Sequence, residues 1–165
     1  VLYFSYGSNM SVRRLRRRVP SAQAKGPAVL TGHQLRFHKK SRDGSAKLDT
    51  FATDRPQDRV IGVLFEIDKT EKKLLDAEEG VGRGYEEKTV TVENAQGKTV
   101  RAFTYYATDI DASLKPYHWY KEHALRGARE NGLPEDYVQM IESAESVDDQ
   151  NPSRREDELS IYERE

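Results

Sequence analysis

Val1-Leu2-Tyr3-Phe4-Ser5-Tyr6-Gly7-Ser8-Asn9-Met10 is the stretch whose reading decides the fold. Its first five residues are rich in aromatics, which suit a pleated, half-buried surface, so they predict a buried strand. The run stops at Gly7-Ser8-Asn9, a cluster that favours a turn with unusual backbone angles. Ser11 then supplies an N-cap, and helical spacing follows it. The predicted order is strand, tight turn, helix. Such a turn exposes several N–H groups near a positive helix end, which suits a carboxylate or a developing oxyanion. An ordinary strand-to-helix loop has the same pattern, so the residues alone do not fix the chemistry.

The helix after the turn carries Val12, Leu15 and Val19 at helical spacing, with Arg13, Arg14, Arg16, Arg17 and Arg18 in the remaining positions, and Pro20 ends it. Those arginines have no interleaved aromatics, so a solvated helix face is expected rather than a phosphate-binding patch. Ala28 to Lys40 reads as one strand containing His33 and His38, neither at metal-ligand spacing from another histidine, so both are expected to be surface or structural residues. Ser41 to Lys47 reads as a loop, with a short strand near Thr50 to Thr53. Val60-Ile61-Gly62-Val63-Leu64-Phe65-Glu66-Ile67 is the most apolar stretch and reads as a central strand. Asp68 and Glu71 signal a helix start, and Lys69 to Glu79 then forms a short helix, with Leu74 and Leu75 as its apolar members and Gly80 as its stop. Tyr85 to Glu93 and Thr99 to Thr108 read as a hairpin around Asn94-Ala95-Gln96-Gly97. Ser113 to Glu130 turns helical, with Pro116 in its first turn. Asn131-Gly132 stops it, and Pro134 opens a last helix whose stripe is Leu133, Tyr137, Met140, Ile141 and Ala144.

These elements predict an α+β fold in one domain over residues 1–146, followed by a polar tail over 147–165 that is mobile or loosely docked. A chain of 165 residues is long enough for a single real core. Lys plus Arg number 27 against 28 for Asp plus Glu, a balance that argues against a dedicated nucleic-acid binder. With no cysteine, disulfides, thiolate metal sites and cysteine nucleophiles are excluded. No apolar run approaches the ~18 residues of a membrane helix, and no signal-peptide pattern is visible. The expectation is a cytoplasmic domain with neither membrane nor nucleic-acid partners.

Three segments carry a resemblance. Tyr3-Phe4-Ser5-Tyr6-Gly7-Ser8-Asn9 resembles the signature of the gamma-glutamylcyclotransferase family. Leu75-Asp76-Ala77-Glu78-Glu79-Gly80-Val81 and Gly127-Ala128-Arg129-Glu130-Asn131-Gly132-Leu133-Pro134 resemble the same family in the same order. The resemblance implies a small mixed, mostly antiparallel β-barrel flanked by helices, with the site in a cavity at one end. It also implies an activity: a gamma-glutamyl amino acid or amine becomes 5-oxoproline plus the free amine, with no metal and no cofactor. The substrate's α-amino group attacks its own γ-carbonyl, so holding the chain folded supplies much of the rate. A base, an acid and oxyanion donors complete the requirements, and one carboxyl group can serve as base and then acid.

In the family that carboxyl belongs to the Glu directly before the Gly, which here is Glu79. Helical geometry does not choose between Glu78 and Glu79, because Leu74 lies four residues before one and Leu75 four before the other. A solvated helix-end carboxylate is the bland alternative. Near a helix C-terminus, a carboxyl would have its pKa raised, and burial would raise it further. The resemblance carries Tyr3, Phe4, Ser5, Tyr6, Gly7, Ser8 and Tyr120 over as substrate-binding residues. Asn9 and Tyr85 are further candidates, Tyr85 following a glycine-rich connection one residue shorter than the family's. The Tyr-Gly-Ser-Asn turn favours the branch acting on gamma-glutamyl amino acids. A homodimer is left open, as is a non-catalytic binding domain of the same fold.

Overall fold

Eight residues of β5 (Arg59–Glu66) form the hub of the fold, as their apolar run predicts. A computed structural model describes residues 1–163. β5 pairs antiparallel with β1 (Leu2–Ser5) on one side and β2 (Gln23–Thr31) on the other. β2 continues to β6 (Tyr85–Asn94), and β6 to β7 (Thr99–Ala107). β7 returns to β1 in parallel at Tyr3 and Phe103, so the five strands close into a barrel in the order β1-β5-β2-β6-β7. Closure leaves every one of these strands with a neighbour on both sides, which removes the sheet edge. The fold is the α+β barrel with flanking helices that the sequence implied.

Ala28 to Lys40 is two strands, not one. Gly32 turns the chain at φ 75°, and its N–H and C=O bond to Asp58 and Thr53, which a continuous strand could not do. Beyond it, β3 (His33–Lys40) leaves the barrel and pairs with β4 (Ala46–Ala52) as a separate two-stranded sheet. The strand expected near Thr50 to Thr53 is therefore longer and starts earlier. His38 is structural: its Nε2 lies 2.7 Å from Asp49 Oδ2, with both residues buried.

Five helices flank the strands: α1 (Val12–Arg18), α2 (Lys72–Glu79), α3 (His118–Glu130), α4 (Glu135–Ser143) and α5 (Pro152–Leu159). α3 begins at His118 rather than Ser113. Val147 bonds the backbone on both sides of Tyr117, donating to Pro116 O and accepting from His118 N, and this holds the preceding residues extended. α2 buries Leu75 completely but leaves Leu74 48% exposed, so only one of its paired leucines faces the core. On α4, Met140, expected in the apolar stripe, is instead exposed, and Val138 joins Tyr137 and Ile141 in the core. α3 passes so close to the Gly7-Ser8-Asn9 turn that a Cβ on Gly127 would sit 2.3 Å from the Met10 carbonyl carbon. Glycine is required there to let helix and turn meet.

The tail is the largest departure from expectation. Asn151 caps α5 by accepting from Arg154 N, the helix lies on α3, and the 3-10 turn that follows it lies on α1. Asp149 anchors it, accepting from Trp119 Nε1 at 2.8 Å and from the Arg154 guanidinium at 2.5 and 2.6 Å. Beyond the helix, Tyr162 donates to Ser11 Oγ at 2.9 Å. The polar composition that suggested mobility instead supplies directed hydrogen bonds, which apolar patterning does not reveal.

Candidate active site

At the end of β1 the chain enters a 3-10 turn over Ser8–Met10, and Ser11 then caps α1 by accepting from Arg14 N. The turn's own hydrogen bonds run from Met10 N to Gly7 O and from Ser11 N to Ser8 O, and among the described residues the Gly7, Ser8 and Asn9 N–H groups have no turn or loop acceptor. Gly7 has φ −123°, not a left-handed angle. Its missing side chain matters for room instead, because a Cβ there would meet Tyr120 Oη at 3.4 Å and Leu48 Cβ at 3.5 Å.

The turn borders a small cavity at the barrel's end. Tyr3, Tyr6, Tyr85 and Tyr120 supply its aromatic walls, Leu48 its apolar one, and Glu79 its charge, with Gly7, Ser8 and Asn9 along the turn. Sequence reasoning named all of these except Leu48. Phe4 and Ser5 do not line the cavity, being 0% and 1% exposed. Phe4 packs its ring 6.4 Å from Tyr6 in the core, and its C=O accepts from Thr104 Oγ1.

Glu79 is the last residue of α2, turned toward the cavity as Gly80 reverses the chain at φ 68° and ψ 45°. α2 is fastened to the barrel by Asp76, which accepts from Tyr105 Oη at 2.5 Å. Glu79 Oε1 accepts from Asn9 Nδ2 at 2.5 Å, and Asn9 Oδ1 accepts in turn from Arg18 Nη1 at 3.2 Å. Burial pushes the Glu79 carboxyl above its ordinary value, and the pull of Arg18, Arg14, the Asn9 hydrogen bond and Lys39 only partly offsets it. The adjacent Glu78 has its side chain 52% exposed, 3.6 Å from Arg18. Two carboxylates that helical periodicity left equivalent thus differ in exposure, and Glu79 is the one that lines this cavity.

The tyrosine hydroxyls differ in what they have left to give. Tyr6 donates to Tyr105 O and Tyr85 to Leu48 O, both at 2.6 Å, so their protons are spent on backbone. Tyr120 accepts from Leu48 N at 2.9 Å and, unlike Tyr6 and Tyr85, donates to no backbone carbonyl among the described residues. Tyr85 contributes a wall and a brace. Tyr120 contributes a wall and a donor.

Outside the cavity lies a cation-lined chamber bounded by Arg14, Arg18, Lys39 and Lys47, and sharing Ser8, Glu79, Tyr85 and Tyr120 with it. The arginine run is therefore not a uniformly solvated face. Arg13, Arg16 and Arg17 are exposed, whereas Arg14 Nε donates to Ser8 Oγ and Arg18 reaches Asn9. The signal was in the spacing: Arg14 and Arg18 lie on the Ser11–Leu15 face, one helical turn apart.

A half-buried carboxylate, a donor-bearing turn and tyrosines around a cavity at a barrel's end make a site for acid–base chemistry on a small molecule. Comparison with known proteins agrees. Residues 59–141 match the model of the AIG2-like family. The gamma-glutamylcyclotransferase of Bos taurus is 35% identical over 151 residues, covering 89% of this chain and 80% of that protein, and the Homo sapiens gamma-glutamylcyclotransferase is 34% identical with the same coverage. A solved structure of a gamma-glutamyl cyclotransferase superposes with a TM-score of 0.87 at 30% identity, covering 99% of this chain and 98% of that one. The chain belongs to the gamma-glutamylcyclotransferase, AIG2-like family. It is an enzyme of the cyclotransferase type.

Proposed function

We propose that this cavity converts a gamma-glutamyl amino acid or amine into 5-oxoproline and the free amine, with Glu79 moving the proton. The observation that carries the proposal is the placement of Glu79: a half-buried carboxyl with a raised pKa, held by Asn9, beside the N–H donors of the turn. In this reading the substrate's α-amino nitrogen attacks its γ-carbonyl carbon, and Glu79 takes a proton from that nitrogen. The new C–N bond closes the five-membered lactam. As the old C–N bond breaks, Glu79 returns the proton to the leaving nitrogen. The Gly7 and Ser8 N–H groups and the Tyr120 hydroxyl are donors for the transient oxyanion or for the α-carboxylate. Proximity supplies much of the remaining acceleration, because nucleophile and electrophile share one short chain. A cytoplasmic setting is part of the proposal, because the substrate would be a small, charged metabolite.

Incubation with a panel of gamma-glutamyl dipeptides is expected to release 5-oxoproline, measured by chromatography. Binding without 5-oxoproline release would replace the enzyme with a binding module. The chemistry needs no Lewis acid, so turnover is expected to survive EDTA and dialysis. Activity that falls and returns on adding zinc or magnesium would contradict this. A second expectation concerns protonation. A carbon-13 NMR titration of the Glu79 carboxyl in the free protein should give a midpoint above 4.5, the ordinary glutamate value. A midpoint at or below that value would remove burial as the controlling influence.

A further inference from the structure

The four cations of the outer chamber are not equivalent. Arg14 pairs with Glu158 and Ser8, Arg18 with Glu78 and Asn9, and Lys47 with Asp43 at 3.1 Å. Lys39 has no hydrogen-bond acceptor and no carboxylate partner among the described residues. Its Nζ stands 4.8 Å above the Tyr85 ring, on the wall shared by cavity and chamber. A register shift between Phe37 and Lys39 in the β3–β4 pairing places the irregularity of a bulge immediately before it, the kind of local bend that re-aims a side chain.

Glu79 sits on the boundary between the two spaces, so the bond that it works on lies there. With the glutamyl part in the inner cavity, the leaving amine projects into the chamber. We infer that Lys39 is a specificity-determining residue, holding the carboxylate of an amino-acid leaving group by an ion pair made only when substrate is bound. This rests on the cyclotransferase reading above. Burial already holds the Lys39 ammonium below its ordinary pKa, Glu79, Asp109 and Asp43 act on it only from beyond ion-pair contact, and an incoming carboxylate would supply a counter-charge in contact. An uncharged leaving amine offers Lys39 nothing. The other three cations would gain less, since each already has its partner.

The test compares gamma-glutamyl-alanine with gamma-glutamyl-alaninamide, which keeps the shape and removes the negative charge. Wild-type protein should favour the acid by roughly 10-fold or more in kcat/KM, the scale of one hydrogen bond to a charged group. Lys39→Met keeps the stem over Tyr85 and should lower kcat/KM for the acid by about that factor while leaving the amide unchanged. Lys39→Arg should recover much of the preference, and Lys40→Met, on the neighbouring exposed position, should retain all of it. Equal use of both substrates by the wild type would overturn the inference, and that comparison needs no variant to fold. A Lys39→Met protein that keeps its preference for the acid, or loses both substrates equally, would also overturn it. The second pattern would place Lys39 on the glutamyl part. No 5-oxoproline from either substrate with the wild type would defeat the cyclotransferase reading itself, and this inference with it.

Discussion

Glu79→Gln is expected to lower turnover by roughly 10²–10⁴-fold, the usual range for a positioned general acid–base group. Glutamine keeps the size of the side chain and an oxygen to accept from Asn9 Nδ2, so the hydrogen bond now 2.5 Å long has a successor. It cannot exchange a proton in this role. The loss should therefore fall on kcat, with substrate binding largely retained, because the turn and the tyrosines are untouched. Glu78→Gln is the paired control and should keep most activity, since that side chain is 52% exposed and lies outside the inner cavity, 3.6 Å from Arg18. Steady-state kinetics on both variants checks the assignment. The reverse pattern would move the role to Glu78, and two active variants would leave the cavity without its proton carrier.

The same substitution has a second consequence, in stability. A carboxyl whose pKa is raised in the folded protein binds its proton more tightly there than in the unfolded chain. The stability it contributes is full below the unfolded value and is lost as pH rises through the folded one. At neutral pH the ionised Glu79 is thus a cost to the fold, which burial imposes and the neighbouring cations only partly offset. Glu79→Gln should leave the unfolding midpoint at neutral pH unchanged or raised. A clear fall at pH 7, with no fall in acid, would mean that the ion pairing of Glu79 outweighs its burial.

Much of this site could be read from the sequence because it lies in contiguous segments. Aromatics, Gly7-Ser8-Asn9 and the Ser11 cap encode strand, turn and helix locally, and the structure keeps all three in order. β5 showed in its run of apolar residues, since a strand covered on both faces has no alternation to hide it. Helix-face logic alone could not separate Glu78 from Glu79. What separates them is tertiary: the cavity edge and the reach of Asn9 across 70 positions of sequence. Leu48 was illegible for the same reason, because its place in the wall depends on Tyr85 and Tyr120 gripping its backbone from two other elements. Ser5 and Phe4 lie buried outside the cavity lining, a distinction that a motif matched as a block does not carry. The tail was expected to be mobile or loosely docked, and its anchors went unread because they are charged and singular. Asp149 and Tyr162 each meet partners more than 25 residues away, and composition carries no such information.

Gly7→Val should cost about 10²-fold or more in kcat/KM, and for a reason of space. Gly7 lies at φ −123°, so a side chain there meets no left-handed backbone angle. A Cβ alone would come to rest 3.4 Å from Tyr120 Oη and 3.5 Å from Leu48 Cβ, in tight but ordinary contact. Gly7→Ala should accordingly retain much of the activity. The two further methyl groups of valine have nowhere to go but into the cavity or against the Tyr120 hydroxyl, the proposed oxyanion donor. Displacing that ring would also release Leu48 N–H, loosening the wall that Tyr85 braces from the other side. A graded series through alanine and valine, followed by kinetics and thermal unfolding, separates crowding from collapse. Crowding predicts a steep loss of activity between the two variants, with a modest fall in midpoint. Near-normal kinetics for Gly7→Val would take the turn out of the active site, and with it the donors assigned to the oxyanion. An equal loss in both variants would show that the backbone itself, rather than the room above it, must approach the substrate.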